Sequence, residues 1–598
     1  MELPRRPKGD EYTKPGRYQE LQTRVRRGVA GKDVPVLFVY AFDRRTRVGP
    51  YVFVDKKLVP GAPIAVASAL AAAGFENSRV VLQQWNPHIR PSQARIGGKP
   101  PELLLVSSMQ IHSASAYRLI DDVYKLGENR PLILAGGAKA IYEPWDFFGL
   151  GPDVRRGADV VVTGEEFVLL ELLDRLLEFK AQRESWRQAF ARARSAGALE
   201  DIPGLVYRRD EGEGPIRELM NTGVQRLVRD LDELPLPLQS LGMFERPHRM
   251  STLDSRPVPV DRLGRFAKVL AIIMTHGCKF HCPYCPIHAY NQGTFRFRSP
   301  ARLVDEIAGM VETTGIDSFF GTDDNFFNNH EAAESILTAM ARGTVSGRPF
   351  RDAVWVGTEG TEHDVDRCAD LMPLARQGGL RAIWFGIEDM TAELVKKGQS
   401  PEKTRKVFRN LLSNGIAPMP MMMHHDDQPL VSQRGLAGLL NQIRYLKRAG
   451  AVSVQITFLT PFVGSKAYEQ SFEEGQVMRR VGGMDVADYL FDANHTIASR
   501  SRHPWRKQFN VLIAYASFYN PFRALKAVLT IDPLWKFRIM YQVLGNLGLV
   551  RSAWASRGWL GRLKWGRIEK ASAAPGPKYH LVLPSGRSLQ PAEPDIRS

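Results

Sequence analysis

Three of the four cysteines in the 598-residue chain fall within eight residues, in the run Gly277-Cys278-Lys279-Phe280-His281-Cys282-Pro283-Tyr284-Cys285. Closely spaced cysteines outside a disulfide-built scaffold point to metal, because the thiolate is a soft, charged ligand. Two chemistries fit the Cys-x3-Cys-x2-Cys spacing. A structural zinc site needs a fourth ligand, which His281 or His288 could supply. Cys368 lies far off in the helical stretch Asp364–Leu374. A [4Fe–4S] cluster on three thiolates would instead leave one iron open to a small molecule.

A second polar group, His424-His425-Asp426-Asp427, follows the apolar run Pro418–Met423. At the mouth of a barrel, His424, His425 and Asp426 could bind substrate, move protons or hold a second metal. The plainer reading is a polar strand-end turn, and adjacent strand residues face opposite ways, so only some can face a cavity. Thr358-Glu359, after Val354–Val356, is a weaker counterpart.

The cysteine run follows the apolar segment Val269–Met274. After it, expected strands at Ser318–Phe320, Val354–Val356, Ala382–Phe385, Pro418–Met423 and Val452–Phe458 alternate with helical patterns such as Pro300–Glu312. Repeated βα units of this length predict a partial or complete α/β barrel. Earlier in the chain, Val34–Tyr40, Arg79–Leu82, Leu103–Ser107, Pro131–Ala135 and Asp159–Thr163 alternate with helical patterns at Pro63–Ala73 and Ala114–Lys125. Fully apolar strands predict a parallel sheet covered on both faces, doubly wound and flavodoxin-like, with ligands beyond the strand C-termini.

The cysteine run, with an aromatic residue before its last cysteine, resembles the cluster loop of the radical S-adenosylmethionine (SAM) superfamily. The resemblance implies that Cys278, Cys282 and Cys285 hold a [4Fe–4S] cluster. The open iron then binds SAM, and an electron from an external donor cleaves it to a 5′-deoxyadenosyl radical. Gly321-Thr322-Asp323-Asp324 is similar to the family segment that meets the SAM amine, although Asp and Asn also cap helices. Gly386-Ile387-Glu388-Asp389, with Lys397-Gly398-Gln399 after it, is similar to the Gly-Ile-Glu segment of cobalamin-type members, which puts Glu388 against SAM. Thr460-Pro461-Phe462-Val463-Gly464 resembles a late-strand segment, with Val463 where a second proline is usual, and Tyr284 would sit by the adenine.

Ser107, the pair Gly136-Gly137, and Gly164-Glu165 each follow an apolar strand. Glycine there lets a ligand approach the backbone. In this order, ahead of such a core, they resemble the cobalamin-binding domain of class B radical SAM enzymes, as do the connector runs Ile202–Tyr207 and Asp230–Pro235. The usual Asp-x-His-x-x-Gly is absent. Its nearest counterpart, Asn86-Pro87-His88-Ile89-Arg90-Pro91, makes His88 an ordinary loop histidine and leaves room for an empty domain.

The formal net charge is +17, yet residues 501–598 alone hold 16 Lys or Arg against 4 Asp or Glu, with five of the ten tryptophans. No acidic residue occurs from Pro533 to Ile568. Together with Tyr489–His495 and Tyr515–Tyr519, this region resembles that of lipid- and hopanoid-type methylases. Its composition suits an anionic lipid surface. A solvated helical cap is the alternative, and nucleic acid is the less favoured partner. The N-terminus lacks an apolar signal core, and no apolar run approaches about 20 residues, so a cytoplasmic protein peripheral to the membrane is expected.

The expected domains are a basic extension (1–34), a cobalamin-binding-like domain (35–180), a connector (181–264), a radical SAM core (265–465), a basic helical region (466–572) and a flexible tail (573–598). The expected function is cobalamin-dependent radical methylation of an unactivated carbon on a small-molecule or lipid-like substrate. Radical cyclisation or coupling, and a degenerate cobalamin-binding scaffold, are the alternatives.

Overall fold

Five apolar runs become the parallel strands β1 (Val36–Tyr40), β2 (Ser78–Leu82), β3 (Leu103–Ser107), β4 (Leu132–Gly136) and β5 (Val160–Val162). Every residue of β1, β2 and β3 is buried, as in strands covered on both faces. Their order is β2-β1-β3-β4-β5, the flavodoxin-like winding. In the computed structural model, residues 5–46, 49, 54–150, 156–209, 216–392, 394, 396–530 and 532–585 are described. The chain divides into two units, one of Leu3–Arg44, Ala62–Phe266 and Pro575–Ser598, the other of Arg45–Gly61 and Ala267–Ala574.

Three expected boundaries change. The segment 181–264 is not a separate connector: β6 (Leu205–Arg208) and β7 (Glu218–Asn221) continue the first sheet antiparallel from β5. Edge strands leave backbone groups unpaired, and these two cover that edge. The tail is not wholly loose, because His580–Val582 pairs in parallel with β7. Its last residues, like the turn at Asp210–Gly214, lie outside the described residues. The N-terminal extension holds helix α1 (Arg17–Val29). Its Tyr18, Leu21, Val25 and Val29 are buried, and Arg24 pairs at 2.7 Å with Asp174 on α2 (Glu166–Phe179).

In the second unit a curled parallel sheet runs β8 (Val269–Ile272), β9 (Ser318–Gly321), β10 (Trp355–Gly360), β11 (Leu380–Glu388), β12 (Ala417–His424) and β13 (Gln455–Phe458), with Leu58–Val59 beside β8. Helices α3 (Pro300–Thr314), α4 (His330–Arg342), α5 (Pro401–Ser413) and α6 (Leu439–Ala449) alternate with these strands. This is the expected partial barrel, whose strand C-termini converge on one mouth. The helices α7 (Lys466–Glu473), α8 (Pro504–Phe518), α9 (Pro521–Leu529) and α10 (Trp535–Trp565) follow.

An open barrel must also cover its last strand. Here the end of α8 and the residue after it do so with two hydroxyls, those of Tyr515 and Tyr519. Tyr515 Oη accepts from Ile456 N (2.8 Å) and Tyr519 Oη from Val454 N (2.9 Å), and each also donates to the carbonyl of the same residue. The C-terminal helical region is therefore part of the barrel unit.

Candidate active site

The cysteine loop is held from four sides. Gly277 has φ +101°, and a Cβ there would lie 2.0 Å from the Thr294 carbonyl oxygen, so no other residue fits. Its N–H donates to Asp324 (2.7 Å), whose carboxylate also accepts from Tyr290 Oη (2.7 Å) and Asn291 Nδ2 (2.5 Å). Lys279 N donates to Asn328 Oδ1 (2.9 Å), and its ammonium pairs with buried Asp364. The far end of the loop is tied by Ala467 N, at the start of α7, to the Pro283 carbonyl (2.8 Å). The segment Thr460–Gly464 thus leads into an anchor for the loop.

All three loop cysteines are partly exposed, whereas Cys368 is buried against the Phe327 carbonyl. His281 stacks on His288 (4.1 Å between centroids), and His288 Nε2 meets the Phe280 carbonyl. The residues considered for a fourth zinc ligand are engaged elsewhere. Among the described residues, no three His, Cys, Asp or Glu side chains converge on a single-ion site. Burial raises the Cys278 thiol and pushes Cys285 up to about 12, with the neighbouring thiols adding to both shifts. Lys397 pulls both down. Asn325 Nδ2 lies 3.8 Å from Cys278 Sγ. Three part-exposed thiols on one rigid loop, next to a cation and an amide donor, suit a cluster that spans several atoms and carries negative charge.

The neighbouring strand ends are also wired together. Asp323, after β9, is fully buried and accepts from Met274 N (2.9 Å), Thr275 N (2.7 Å) and Thr358 Oγ1 (2.7 Å). Burial outweighs these bonds and pushes its carboxyl up to about 6. Asp323 therefore fastens β8, β9 and β10 together, while Thr322 beside it is exposed. Gly321 packs against that fastening, since a Cβ there would meet Asp323 Oδ2 at 2.5 Å. Glu388 ends β11 at a register shift with φ +61°, a strained value for a non-glycine residue. A Cβ on Gly386 would lie 2.6 Å from Glu388 Oε1.

Lys397 Nζ pairs with Glu388 Oε1 at 2.9 Å and stands 5.7 Å from the Tyr284 ring centroid. Burial alone would lower its pKa, but Glu388 and Cys282 outweigh that and hold it charged. The Tyr284 hydroxyl is buried beside Glu388 and Cys282, and burial first, then those two groups, keeps it protonated. Tyr284, Glu388, Lys397 and the cysteine loop thus form one neighbourhood. From the sequence alone Lys397 has no assigned role. A lysine shortly after Gly-Ile-Glu was the available signal.

Phe385 of β11 meets Phe408 of α5, so by alternation Trp384 and Gly386 face the barrel interior. Trp384, Met419 and Met421 line that face with Phe320 and Trp355, and Leu534, Phe537 and Tyr541 at the start of α10 pack against them. Glu359, four residues after Trp355, lies on the same face. It is half-buried and has no hydrogen bond or ion pair among the described residues. Burial first, then Asp323 and Asp324, push its carboxyl up to about 8.

The His-His-Asp group is different. His424 is buried, with Nδ1 against Gln428 Oε1 (2.8 Å) and Nε2 against Asn510 Nδ2 (3.2 Å). Burial lowers its pKa to about 4, so it is neutral at pH 7 with both nitrogens engaged. His425 is buried. Asp426 accepts from Ser499 Oγ (2.6 Å) and Arg500 N (2.9 Å) and faces buried Lys507 (3.5 Å). His424 and Asp426 tie the end of β12 to the C-terminal helices. These bonds suit the plainer reading of the group, a polar turn at a strand end.

In the first unit, Ser107, Gly136, Gly137, Gly164 and Glu165 line one cleft at the strand ends, walled by Phe38, Val66, Leu105 and Leu169. The two adjacent glycines differ. Gly137 has φ +89°, and a Cβ there would strike Ser107 Oγ (2.7 Å) and the Ser108 backbone (2.8 Å). A Cβ on Gly136 would meet only the Val162 carbonyl, at 3.7 Å. Gly137 is needed by the turn, whereas Gly136 leaves open space. Gly164 packs on Gln225, whose Oε1 also accepts from Glu165 N (2.7 Å). His88 is exposed on another cleft, beside Arg118 and Asp121.

Residues 272–431 match the model of the radical SAM superfamily. They form a radical SAM domain. The radical SAM domain begins inside β8 and ends after β12, and so holds the three cysteines, the strand ends and Lys397. The chain is 25% identical over 223 residues to cytidylyl-2-hydroxyethylphosphonate methyltransferase of Streptomyces wedmorensis, covering 35% of this chain and 39% of that protein. It is 22% identical over 422 residues to anaerobic magnesium-protoporphyrin IX monomethyl ester cyclase of Synechocystis sp., covering 69% and 71%. The match thus spans well under two thirds of the first relative. The radical SAM methyltransferase TsrM of Kitasatospora setae, solved with cobalamin and a [4Fe–4S] cluster, shares the fold at TM-score 0.54 and 14% identity, covering 87% of this chain and 99% of that one.

Proposed function

We propose that the protein is a cobalamin-dependent radical SAM methyltransferase acting on an unactivated carbon. The observation that carries this reading is the presence, in one chain, of a three-thiol loop wired to the strand ends of a radical SAM domain and a doubly wound sheet whose strand-end glycines line one cleft. Cys278, Cys282 and Cys285 would hold the cluster; Thr322, Gly386, Glu388 and Tyr284 would meet SAM. Ser107, Gly136 and Glu165 would meet cobalamin, with Gly137 and Gly164 shaping the turns. When bound, these groups supply a hydrogen-abstracting radical and a transferable methyl group.

The chain's own residues have four tasks. Asp323 and Asp324 fix the strand ends and the cysteine loop. Lys397 offsets the negative charge of the thiolates and orients Glu388. Trp384, Phe320 and Met421 keep water from the barrel interior. Glu359 presents a protonated carboxyl there at neutral pH, suited to donating a hydrogen bond or a proton. A small-molecule substrate and an external electron donor complete the system.

The test is anaerobic reconstitution with cobalamin, SAM and reductant. Formation of 5′-deoxyadenosine together with S-adenosylhomocysteine supports methylation, and a full cluster that yields neither sinks it. Ring formation is the second reading, favoured by the longer match to a cyclase. It predicts loss of hydrogen from the substrate with no gain of a methyl group.

A lipid-like substrate and peripheral membrane contact belong to the same proposal. Met540, Val543, Leu547, Val550 and Trp554 form an exposed stripe on α10 at alternating three- and four-residue spacing, while Tyr541, Trp559 and Leu563 are buried on its other side. Phe522, Leu525 and Leu529 are exposed on α9. Basic residues flank both helices, as in an interfacial helix on anionic lipid. No helix among the described residues is long and apolar enough to cross a membrane.

A further inference from the structure

A cleft of about 780 Å³ opens where the last turns of α5 and α6 meet the start of α10, and it is lined by Arg405, Arg409, Arg448 and Arg538. In a βα unit the helix C-termini lie at the end opposite the strand C-termini, so this cleft is at the other end of the barrel from the cysteine loop. Among the described residues of its lining Asp532 is the one carboxylate, and it is taken by Arg538 at 2.9 Å. Arg405, Arg409 and Arg448 make no ion pair and no hydrogen bond among the described residues.

All three are exposed residues, open to a ligand from solvent. Arg405 and Arg409 are one turn apart on α5, a spacing at which like charges repel. The positive field reaches the neighbours. Lys447 is lowered by burial first, then by Arg523, Arg444 and Arg448, and Arg523 is lowered to about 10, chiefly by burial, with Arg538 adding to the shift. A helix C-terminus favours a cation, which accounts for Arg448 in the last turn of α6. It also accounts for Arg538, which donates to the Gly450 carbonyl just past the end of α6 (3.4 Å), but not for Arg405, more than a turn from the end of its own helix. The Tyr445 ring lies 5.4 Å from the Arg405 guanidinium, and its hydroxyl is tied to the Pro401 carbonyl, giving that guanidinium a fixed wall.

We propose that this cleft is a phosphate-binding site, in which the forked guanidinium groups of Arg405, Arg409 and Arg448 take the oxygens of a phosphate ester or diphosphate. Planar guanidinium forks match that geometry, and a di- or trianion would relieve the repulsion among them. The phosphate could belong to a soluble molecule or to an anionic lipid headgroup. The site is independent of the cluster and of the proposed reaction.

The test uses the full chain, titrated with inorganic pyrophosphate and, separately, with phosphatidylcholine vesicles with and without phosphatidic acid. Wild type is compared with Arg409→Ala/Arg448→Ala, with the paired lysine variant, and with Arg557→Ala/Lys564→Ala elsewhere on α10. One arm expects saturable pyrophosphate binding, weakened about a hundredfold by the double alanine change and about tenfold by lysine, which assigns a soluble ligand. The other expects no pyrophosphate binding but acid-dependent vesicle binding that the cleft variant weakens at least tenfold more than the α10 control, which assigns a headgroup. Thermal melting should be unchanged or raised by the cleft variant. Binding of neither probe, equal loss from the cleft and control variants, or a lowered melting point without probe binding would overturn the proposal.

Discussion

The two sheets present different surfaces at the C-termini of their parallel strands. In the radical SAM domain those ends carry Asp323, Asp324 and Glu388, each bound to a named donor, and Asn325, whose amide donates to Asp364 (2.7 Å), with Lys397 beside Glu388. In the doubly wound sheet they carry Ser107 and glycines over apolar walls. One site is organised by charge that fixes the cysteine loop, the other by small residues over an apolar cleft of about 60 Å³. The lesson is that a strand end can serve a cofactor by what it holds or by what it omits, and substitutions should act in opposite ways at the two places.

The largest effect is expected at Cys282. Cys282→Ala should abolish cluster absorbance after anaerobic reconstitution while leaving the corrin spectrum intact. Asp324→Asn should come next. It weakens the acceptor for Gly277 N, Tyr290 and Asn291 and should cut iron content severalfold, with melting lowered by about 2 kcal/mol equivalent. At the other sheet the rule reverses, because adding atoms is what damages. Gly136→Leu should keep the fold and block corrin binding. Gly137→Ala should unfold the turn first, costing about 2 kcal/mol or more through strain at positive φ and backbone clash, with or without cofactor. Equal melting points for the two glycine variants would erase the distinction between them.

The smallest effect is a pH dependence. Glu359 has its folded-state pKa raised from 4.5 to about 8. Below pH 4.5 both folded and unfolded chains hold the proton. Between 4.5 and about 8 the unfolded chain ionises while the folded one does not, so stability falls as pH rises. Glu359→Gln should therefore melt about 2–4 °C higher than wild type at pH 8.5, converging with it near pH 4.5. A constant difference across that range would remove Glu359 from the barrel interior.

Both sheets were legible in the sequence because fully buried parallel strands read as apolar runs. Leu103–Ser107 matches its strand residue for residue, and Val34–Tyr40 differs only at its start. The cysteine loop was legible because its chemistry is local. What escaped depends on pairing across distance. Nothing near Leu205 or His580 says that they join the first sheet. The role of Tyr515 and Tyr519 needs the edge of β13 to be known first. His424 and Asp426 read as chemistry because the residue types are right. Their partners, Asn510 and Ser499, lie more than seventy residues away and spend those groups on packing.

The central claim is that two separate strand-end sites in one chain hold two different cofactors. The direct measurement is quantification of iron, sulfide and corrin in wild type, Cys282→Ala and Gly136→Leu, each purified anaerobically with cobalamin present. The account predicts both cofactors in wild type, corrin without iron in Cys282→Ala, and iron without corrin in Gly136→Leu. Corrin absent from folded wild type, or lost together with iron in either variant, would contradict it.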